Sequence, residues 1–80
     1  MSKKVLITGA NGFLGSAITK LAVKKGYKVS VLVRKNSNLD NLIKFKSKIN
    51  IFYGDLRNKD DLYEPVKESD IIFHVAADYR

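Results

Sequence analysis

Short runs of apolar, often β-branched residues alternate along this chain with segments of helical periodicity, and this alternation limits the fold more than any other feature. The runs cover residues 4–8, 29–33, 49–53 and 70–75. Each run is short for a helix and suits a strand that is buried on both faces. Strands that are separated by helical segments predict βαβ units with right-handed crossovers, and therefore a parallel sheet.

The first helical segment lies between the first two runs. Its apolar residues recur at helical spacing and predict one buried stripe, while Ser16, Thr19, Lys20 and Lys24 take the other faces. Gly26 is predicted to end this helix just past its last turn. The predicted stripe consists of Leu14, Ala17, Ile18, Leu21 and Ala22.

Two more helical segments are predicted further along. Leu39, Leu42 and Ile43 indicate a short helix after a loop at 36–38. The other segment begins at a capping asparagine, Asn58, and has acidic residues in its first turn, where negative charge is favoured. Its Leu62 and Val66 are expected to face the sheet, and Pro65 should shorten or kink it because proline lacks a backbone donor.

These elements together predict an α/β fold. We expect a parallel sheet of about four strands in the order 3-2-1-4, with helices on both faces. That arrangement is half of a doubly wound Rossmann fold. The chain has 80 residues, too few for separate cofactor and substrate domains.

Composition excludes several classes of site. Cysteine is absent, so there is no disulfide or thiolate site, and the single His74 excludes a multi-histidine metal site. The basic start at residues 1–4 is followed by an apolar run that glycines interrupt, which does not fit a signal peptide or a membrane span. We expect a cytoplasmic protein with no membrane partner.

Charge is unevenly distributed. Residues 1–53 hold 11 basic residues and one acidic residue, whereas residues 54–80 hold 4 basic and 7 acidic residues. A basic region of this kind serves nucleic acid, an anionic membrane or a phosphorylated ligand, or it consists simply of solvated lysines. No nucleic-acid recognition motif is present, and the phenylalanines fit a core or a turn better than a stacking platform.

The segment between the first strand and the first helix carries the clearest chemistry. It has the pattern G-x-x-G-x-x-G, in the strand-to-helix context that a phosphate-binding turn requires. Gly9 allows the sharp turn, Gly12 allows a pyrophosphate to approach the backbone, and Gly15 lets the helix lie close to the sheet. The alternative is a tight turn without a ligand. The predicted phosphate-binding residues are Gly9, Asn11, Gly12, Phe13, Leu14 and Gly15.

Three stretches together resemble the extended short-chain dehydrogenase/reductase superfamily: residues 8–15, 54–56 and 74–80. The sequence of residues 73–77 most resembles the branch of that superfamily that contains dihydroflavonol reductases and nucleotide-sugar epimerases and dehydratases. The resemblance covers the whole chain. It implies that residues 1–80 are the N-terminal part of an NAD(P)-binding Rossmann domain, without the catalytic and substrate regions.

The resemblance also implies contacts with the rest of a dinucleotide. Asp55 would accept a hydrogen bond from the adenine amino group, and the Leu56 backbone would hold the ring edge. Val75, Ala76 and Ala77 would line the ribose and nicotinamide side. The alternatives are a turn aspartate at position 55 and plain strand packing at positions 75–77.

The end of the second strand bears on cofactor preference. NAD binding normally uses an acidic residue there, which accepts from the ribose 2′-hydroxyl. This chain has Arg34 and Lys35 instead. A guanidinium pairs with a 2′-phosphate, so we predict NADP rather than NAD. The alternative is a solvated cation at the strand end; Asp40, the nearest acid, is assigned to a helix start.

No catalytic residue is assigned. His74 lies within an apolar run and is expected to be structural. The superfamily pairs a tyrosine with a lysine four positions later, and Tyr79 has no such lysine before the last residue, Arg80. We expect the 80 residues to be inactive alone and to be the NADP-binding portion of a reductase or epimerase. A non-catalytic NADP(H) sensor is the alternative, and a small basic nucleic-acid binder is less favoured.

The fourth strand has one further implication. With nothing on its outer side, the apolar edge at residues 71–73 would be a template for another chain. We therefore expect self-association through that edge, or a marginally stable monomer.

Overall fold

The computed structural model describes residues 3–9, 12–35, 38–55 and 57–75. Its order of elements is strand, helix, strand, helix, strand, helix, strand. The elements are β1 (Lys4–Thr8), α1 (Phe13–Lys24), β2 (Lys28–Val33), a 3₁₀ helix (Asp40–Lys48), β3 (Ile49–Tyr53), α2 (Lys59–Lys67) and β4 (Ile71–His74).

The four strands form one parallel sheet in the order β3-β2-β1-β4. This confirms the predicted order, and the strand positions agree with the predicted runs to within one residue at either end. Because all four strands run the same way, their carboxyl ends meet at one edge of the sheet, here called the carboxyl edge.

The two faces of the sheet are covered by different helices, as predicted. Odd-numbered strand residues such as Val5, Ile7 and Val31 pack with α1 and the 3₁₀ helix in one hydrophobic cluster. Even-numbered strand residues face α2, where Leu6 and Leu32 are buried together with Pro65. The alternation follows from the two-residue period of a strand, which sends successive side chains to opposite faces.

The buried face of α1 agrees with the predicted stripe at Ala22, which is buried, and at Ile18, which packs against the core, but differs at the other three positions. Leu14 and Leu21 are more than half exposed, and Ala17 is exposed, whereas Gly15 and Thr19 are buried. The Thr19 hydroxyl donates to the Gly15 carbonyl at 2.8 Å, which satisfies it inside the core. Small side chains let the helix lie close to the sheet, and this close packing outweighs the apolar periodicity that places the leucines on one stripe.

The end of α1 follows the prediction. Lys25 is the C-cap residue and Gly26 follows with a φ of 87°, in the left-handed region. The Tyr27 N–H donates to the Ala22 carbonyl and the Gly26 N–H donates to the Val23 carbonyl. This pair of bonds is a Schellman motif, which satisfies the last carbonyl groups of the helix.

The face of α2 also differs from the prediction. Asn58 caps the helix as expected, since its side chain accepts from the Asp60 N–H at 2.9 Å. Val66, however, is 42% exposed, and the residue buried against the sheet is Pro65. Pro65 has no backbone N–H to donate, yet α2 continues past it to Lys67.

Candidate functional site

The turn after β1 has the backbone of a glycine turn at the carboxyl edge. Gly9 has a φ of 72°, a conformation that residues with a Cβ rarely adopt. The Gly12 N–H then donates to the Gly9 carbonyl at 3.2 Å, which closes the turn. Asn11, another predicted site residue, lies outside the described residues. The chain therefore leaves β1 sharply and enters α1 within four residues.

Among the described residues, the N-terminus of α1 has neither a capping side chain nor an acidic side chain. Its N-cap, Gly12, makes no side-chain capping bond, and the first turn contains no acidic residue. The first intrahelical bond runs from the Ser16 N–H to the Gly12 carbonyl at 2.9 Å. The N–H groups of Phe13, Leu14 and Gly15 precede it and have no partner within the helix. Such N–H groups and the helix dipole favour an anion there.

A second part of the site lies where β2 and β3 end. A cavity of about 630 Å³ opens there, and we call it the β2–β3 cleft. The structure brings Arg34 and Asp55, two predicted site residues 21 positions apart in the sequence, into its wall. The described residues that line it are Arg34, Lys35, Tyr53, Gly54, Asp55 and Asp61.

The Asp55 carboxylate is held by the arginine two residues later. Its Oδ1 accepts from the Arg57 N–H at 2.9 Å and from Nε at 3.1 Å, and its Oδ2 accepts from Nη2 at 2.8 Å. These bonds, and more weakly the charge of Arg34, hold the pKa of Asp55 well below its ordinary value. Asp55 is therefore a permanently charged acceptor at neutral pH. Leu56 lies outside the described residues.

Asp61 enters the site from α2. Its Oδ2 accepts from the Asp55 N–H at 2.9 Å, and it lines the β2–β3 cleft. A Cβ on Gly54 would lie only 2.7 Å from the Asp61 Cβ, so the glycine permits this approach. In the sequence Asp61 has the form of an ordinary acidic residue in the first turn of a helix. Only the folding of α2 against the end of β3 gives it a second role.

The end of β4 contributes mainly packing. The Val75 N–H donates to the Thr8 carbonyl at 3.2 Å, and its side chain belongs to the hydrophobic cluster beneath α1. Ala76 and Ala77 lie outside the described residues, so their contact with a cofactor stays a prediction. His74 Nδ1 and Thr8 Oγ1 share a hydrogen bond of 2.8 Å, which joins β4 to β1, while His74 itself is exposed.

One tyrosine and one lysine on α2 have the four-residue spacing of the superfamily's catalytic pair. Tyr63 and Lys67 on α2 have the required spacing, and the Lys67 Nζ lies 5.5 Å from the centre of the Tyr63 ring. Tyr63 is the middle residue of α2 and is 62% exposed, and Lys67 is the last residue of that helix. Neither of them is among the described residues that line the β2–β3 cleft.

The family follows from a comparison with known proteins. A family model described as "NAD dependent epimerase/dehydratase family" matches residues 5–80. The chain belongs to this family. The match confirms the resemblance drawn from the sequence, and it supports a nicotinamide dinucleotide as the cofactor class of the family.

Individual relatives show how different the enzymes of this family are. A UDP-N-acetyl-alpha-D-glucosaminuronate decarboxylase of Bacillus cytotoxicus is 35% identical, over 96% of this chain and 24% of its own length. A protein of Synechocystis sp. that is provisionally named a dihydroflavonol 4-reductase is 37% identical, over 99% of this chain and 22% of its own length. This chain therefore spans about a quarter of the length of the curated relatives that it matches.

A solved structure supports the fold. The dTDP-glucose 4,6-dehydratase of Bacillus anthracis, determined in complex with NAD, aligns with a TM-score of 0.82 and 25% identity. The alignment covers 96% of this chain and 27% of that chain. The four-stranded sheet is thus a portion of a Rossmann fold.

Two classes of feature are absent from the described residues. None of the helices there has the length and apolar character that crossing a membrane requires. No group of three or more His, Cys, Asp or Glu side chains in the same residues could hold a metal ion. The cytoplasmic location expected from the sequence stays a prediction.

Proposed function

We propose that this chain is the NADP-binding portion of an oxidoreductase or of an epimerase or dehydratase acting on nucleotide sugars. The observation that carries the proposal is the pairing of two sites on the carboxyl edge. One is the N-terminus of α1, which has no capping side chain or acidic residue in its first turn. The other is the β2–β3 cleft, which has two cations in its wall. A dinucleotide phosphate needs both kinds of site.

The two sites divide the ligand between them. The pyrophosphate would lie on the N–H groups at the start of α1, close to Gly12. The adenosine end would occupy the β2–β3 cleft, with Arg34 on the 2′-phosphate and Asp55 on the adenine amino group. A nicotinamide cofactor supplies hydride chemistry when it is bound. The described residues would bind and orient it.

A calorimetric titration with NADPH and, separately, NADH tests the proposal. We expect tighter binding of NADPH, because Arg34 makes a charge-assisted bond that only the 2′-phosphate can accept. Arg34→Asp should weaken NADPH binding roughly tenfold to hundredfold and reverse the preference, since a bond to a charged group contributes ~1.5–3 kcal/mol.

The matched control is Lys3→Asp, which changes the net charge equally. Lys3 is exposed and precedes β1, so it lies at the edge opposite to the site. Its substitution should leave the ratio of NADPH to NADH affinity unchanged. Equal affinities of the unaltered folded chain for NADPH and NADH would contradict the NADP preference. No binding of either would contradict the proposal as a whole.

We infer further that these 80 residues do not transfer hydride alone. The only Tyr-x-x-x-Lys spacing in the sequence is Tyr63 with Lys67, and neither is among the described residues that line the β2–β3 cleft. Proton transfer requires a group within hydrogen-bond reach of the reacting atoms. Oxidation of NADPH by the purified chain in the presence of carbonyl substrates would contradict this inference.

We also propose that the isolated chain self-associates through β4, which is an outer strand of the described sheet. Ile72 and Phe73 on it are 47% and 44% exposed. An unpaired apolar strand edge is a template for a second copy. Sedimentation should show a mass that rises with concentration, and Ile72→Lys should lower it. A concentration-independent monomer with a cooperative melt would contradict the proposal.

A further inference from the structure

Two residues bind Asp55 directly but make none of the ligand contacts proposed above. Arg57 bonds the Asp55 carboxylate, and Asp61 bonds its N–H. We propose that Arg57 and Asp61 are positioning residues, which fix Asp55 so that it accepts the amino group of adenine and rejects a purine with an oxo group at the same carbon. This inference rests on the proposed function of the β2–β3 cleft.

A count of acceptor sites shows that the ion pair leaves room for the base. A carboxylate has about four lone-pair sites. Arg57 occupies three of those on Asp55, two on Oδ1 and one on Oδ2. One acceptor site therefore remains on Oδ2 among the described contacts. The Asp55 side chain is 37% exposed and lines the cleft, so that site is accessible without breaking the pair.

The geometry of Arg57 fixes the direction of the remaining site. Its Nε and Nη2 hold one carboxylate oxygen each, a bidentate pairing that defines the plane of the carboxylate. Its backbone N–H adds a third bond to the same group at 2.9 Å. The Arg57 side chain is 80% exposed and contributes little burial of its own. Its contacts thus act on the orientation of Asp55 rather than on the core.

Asp61 fixes the backbone of the same residue. It reaches the Asp55 N–H from the first turn of α2, at 2.9 Å. Gly54 allows this contact, because any Cβ there would overlap the Asp61 Cβ. The main chain of Asp55 is therefore held by α2, while its side chain is held by Arg57. Neither part can turn without losing a bond to a charged group.

A carboxylate that is fixed in this way distinguishes purines by the direction of one hydrogen bond. Adenine carries an amino group, which donates, and hypoxanthine carries an oxo group at that carbon, which accepts. An ionised carboxylate can only accept, so it bonds the first and repels the second. An aspartate is ionised at neutral pH, and the hydrogen bonds from Arg57 lower the pKa of Asp55 further.

The test compares NADPH with the reduced nicotinamide hypoxanthine dinucleotide phosphate by calorimetry. The unaltered chain should favour NADPH by about tenfold to hundredfold, as expected for one bond to a charged group. Arg57→Gln should remove most of this ratio, and Arg57→Lys should restore only part of it, because an ammonium cannot bind both oxygens in a fixed plane. The ratio of NADPH to NADH affinity should stay constant in both variants, since Arg34 is unchanged.

Variants of Asp61 test the backbone contact. Asp61→Asn keeps an oxygen that can accept from the Asp55 N–H and should retain the adenine preference. Asp61→Leu lacks an acceptor and should reduce the preference. Lys59→Gln is the control, because it removes an exposed cation from the same turn of α2 without a bond to Asp55. Circular dichroism melts establish that each variant is folded.

The outcomes separate this inference from the proposed function. If the unaltered chain binds neither dinucleotide, both are overturned. If it binds NADPH but the adenine preference is unchanged in a folded Arg57→Gln or Arg57→Lys variant, the positioning role is overturned and the proposed function stands. If a variant lowers the ratio of NADPH to NADH affinity as much as it lowers the adenine preference, the positioning role is also overturned. The effect would then not be confined to the base.

Discussion

The N-termini of α1 and α2 lie at the same edge of the sheet, yet their chemistry is opposite. The N-cap of α1 is Gly12, with no capping side chain and no acidic residue in the first turn. α2 begins at Asn58, which caps it, and continues with Asp60 and Asp61. The second helix thus has a capping side chain and two negative charges at its positive end, whereas the first has neither among the described residues. The two strand–turn–helix units therefore differ in the charge and capping of their helix N-termini.

The largest effect is expected from an acidic N-cap residue in α1, which gives its N-terminus a negative charge of the kind that α2 has in its first turn. Gly12 has a φ of −78°, which other residues adopt readily. Gly12→Asp should weaken NADPH binding more than about tenfold, because two unit charges ~4 Å apart near a surface repel by several kcal/mol. The same change should stabilise the helix by up to ~1 kcal/mol.

Calorimetry and thermal melts measure the two effects of this change separately. Gly12→Asn is the matched control, since asparagine caps a helix as well but carries no charge. It should stabilise the fold while weakening NADPH binding less than aspartate does. If Gly12→Asp leaves NADPH affinity intact, the α1 terminus does not hold the pyrophosphate.

The next effect concerns the close contact at the α2 terminus. Gly54→Ala places a Cβ 2.7 Å from that of Asp61, a distance that requires α2 or the end of β3 to shift. We expect a loss of ~1–3 kcal/mol in the free energy of unfolding, as for other overpacked sites. Urea denaturation measures it. In the double variant with Asp61→Gly the clash is gone, so the two losses should not add.

A smaller effect should distinguish the caps of the two helices. Asn58→Ala removes the acceptor for the Asp60 N–H and should cost ~1 kcal/mol of unfolding free energy. Ser16→Ala in α1 removes only an exposed bond to the Phe13 carbonyl, and should change stability by less than about 0.5 kcal/mol. Equal losses in the two variants, measured by chemical denaturation, would show that α2 does not depend on its cap.

The smallest effect is in the acid titration of Asp55. Its pKa lies below the ordinary value of 3.8, chiefly because of the hydrogen bonds from Arg57. The ion pair therefore stabilises the folded chain fully at pH values well above 3.8. This contribution is lost as the pH falls toward the lower pKa that Asp55 has in the folded chain. Carbon-13 NMR of the carboxyl group should show Asp55 still ionised below pH 3.8. Arg57→Gln should return the midpoint upward, and an unchanged midpoint would exclude the pair in solution.

The local elements of this fold were predictable because their causes lie within a few residues of each other. The runs at 4–8 and 49–53 gave both strands at their observed bounds. Asn58 followed by two aspartates gave the start of α2, and Gly26 gave the end of α1. Capping bonds and turn conformations join near neighbours, so the sequence pattern contains them directly.

Helix rotation was less predictable. The apolar stripe of α1 predicted Ala22 correctly but also placed Leu14 and Leu21 inward, whereas the helix buries Gly15 and Thr19 beside Ala22. In α2 the same kind of pattern favoured Val66, and the sheet covers Pro65. Periodicity predicts the spacing of the buried residues in a helix. Which residues are buried depends on the surface of the sheet that the helix packs against. Close packing of small or rigid side chains can outweigh apolar area.

The sequence by itself determined the α/β class, the strand order and the glycine turn, because these follow from short-range patterns and from the handedness of parallel crossovers. Arg34 and Asp55 share one cleft because the neighbouring strands β2 and β3 pair Val33 with Tyr53. Only the tertiary structure decided that Asp61 holds the backbone of Asp55 and that Tyr63 and Lys67 lie outside that cleft. Both depend on where α2 lies against the sheet. That position results from the packing of residues distant in sequence, which no local pattern records.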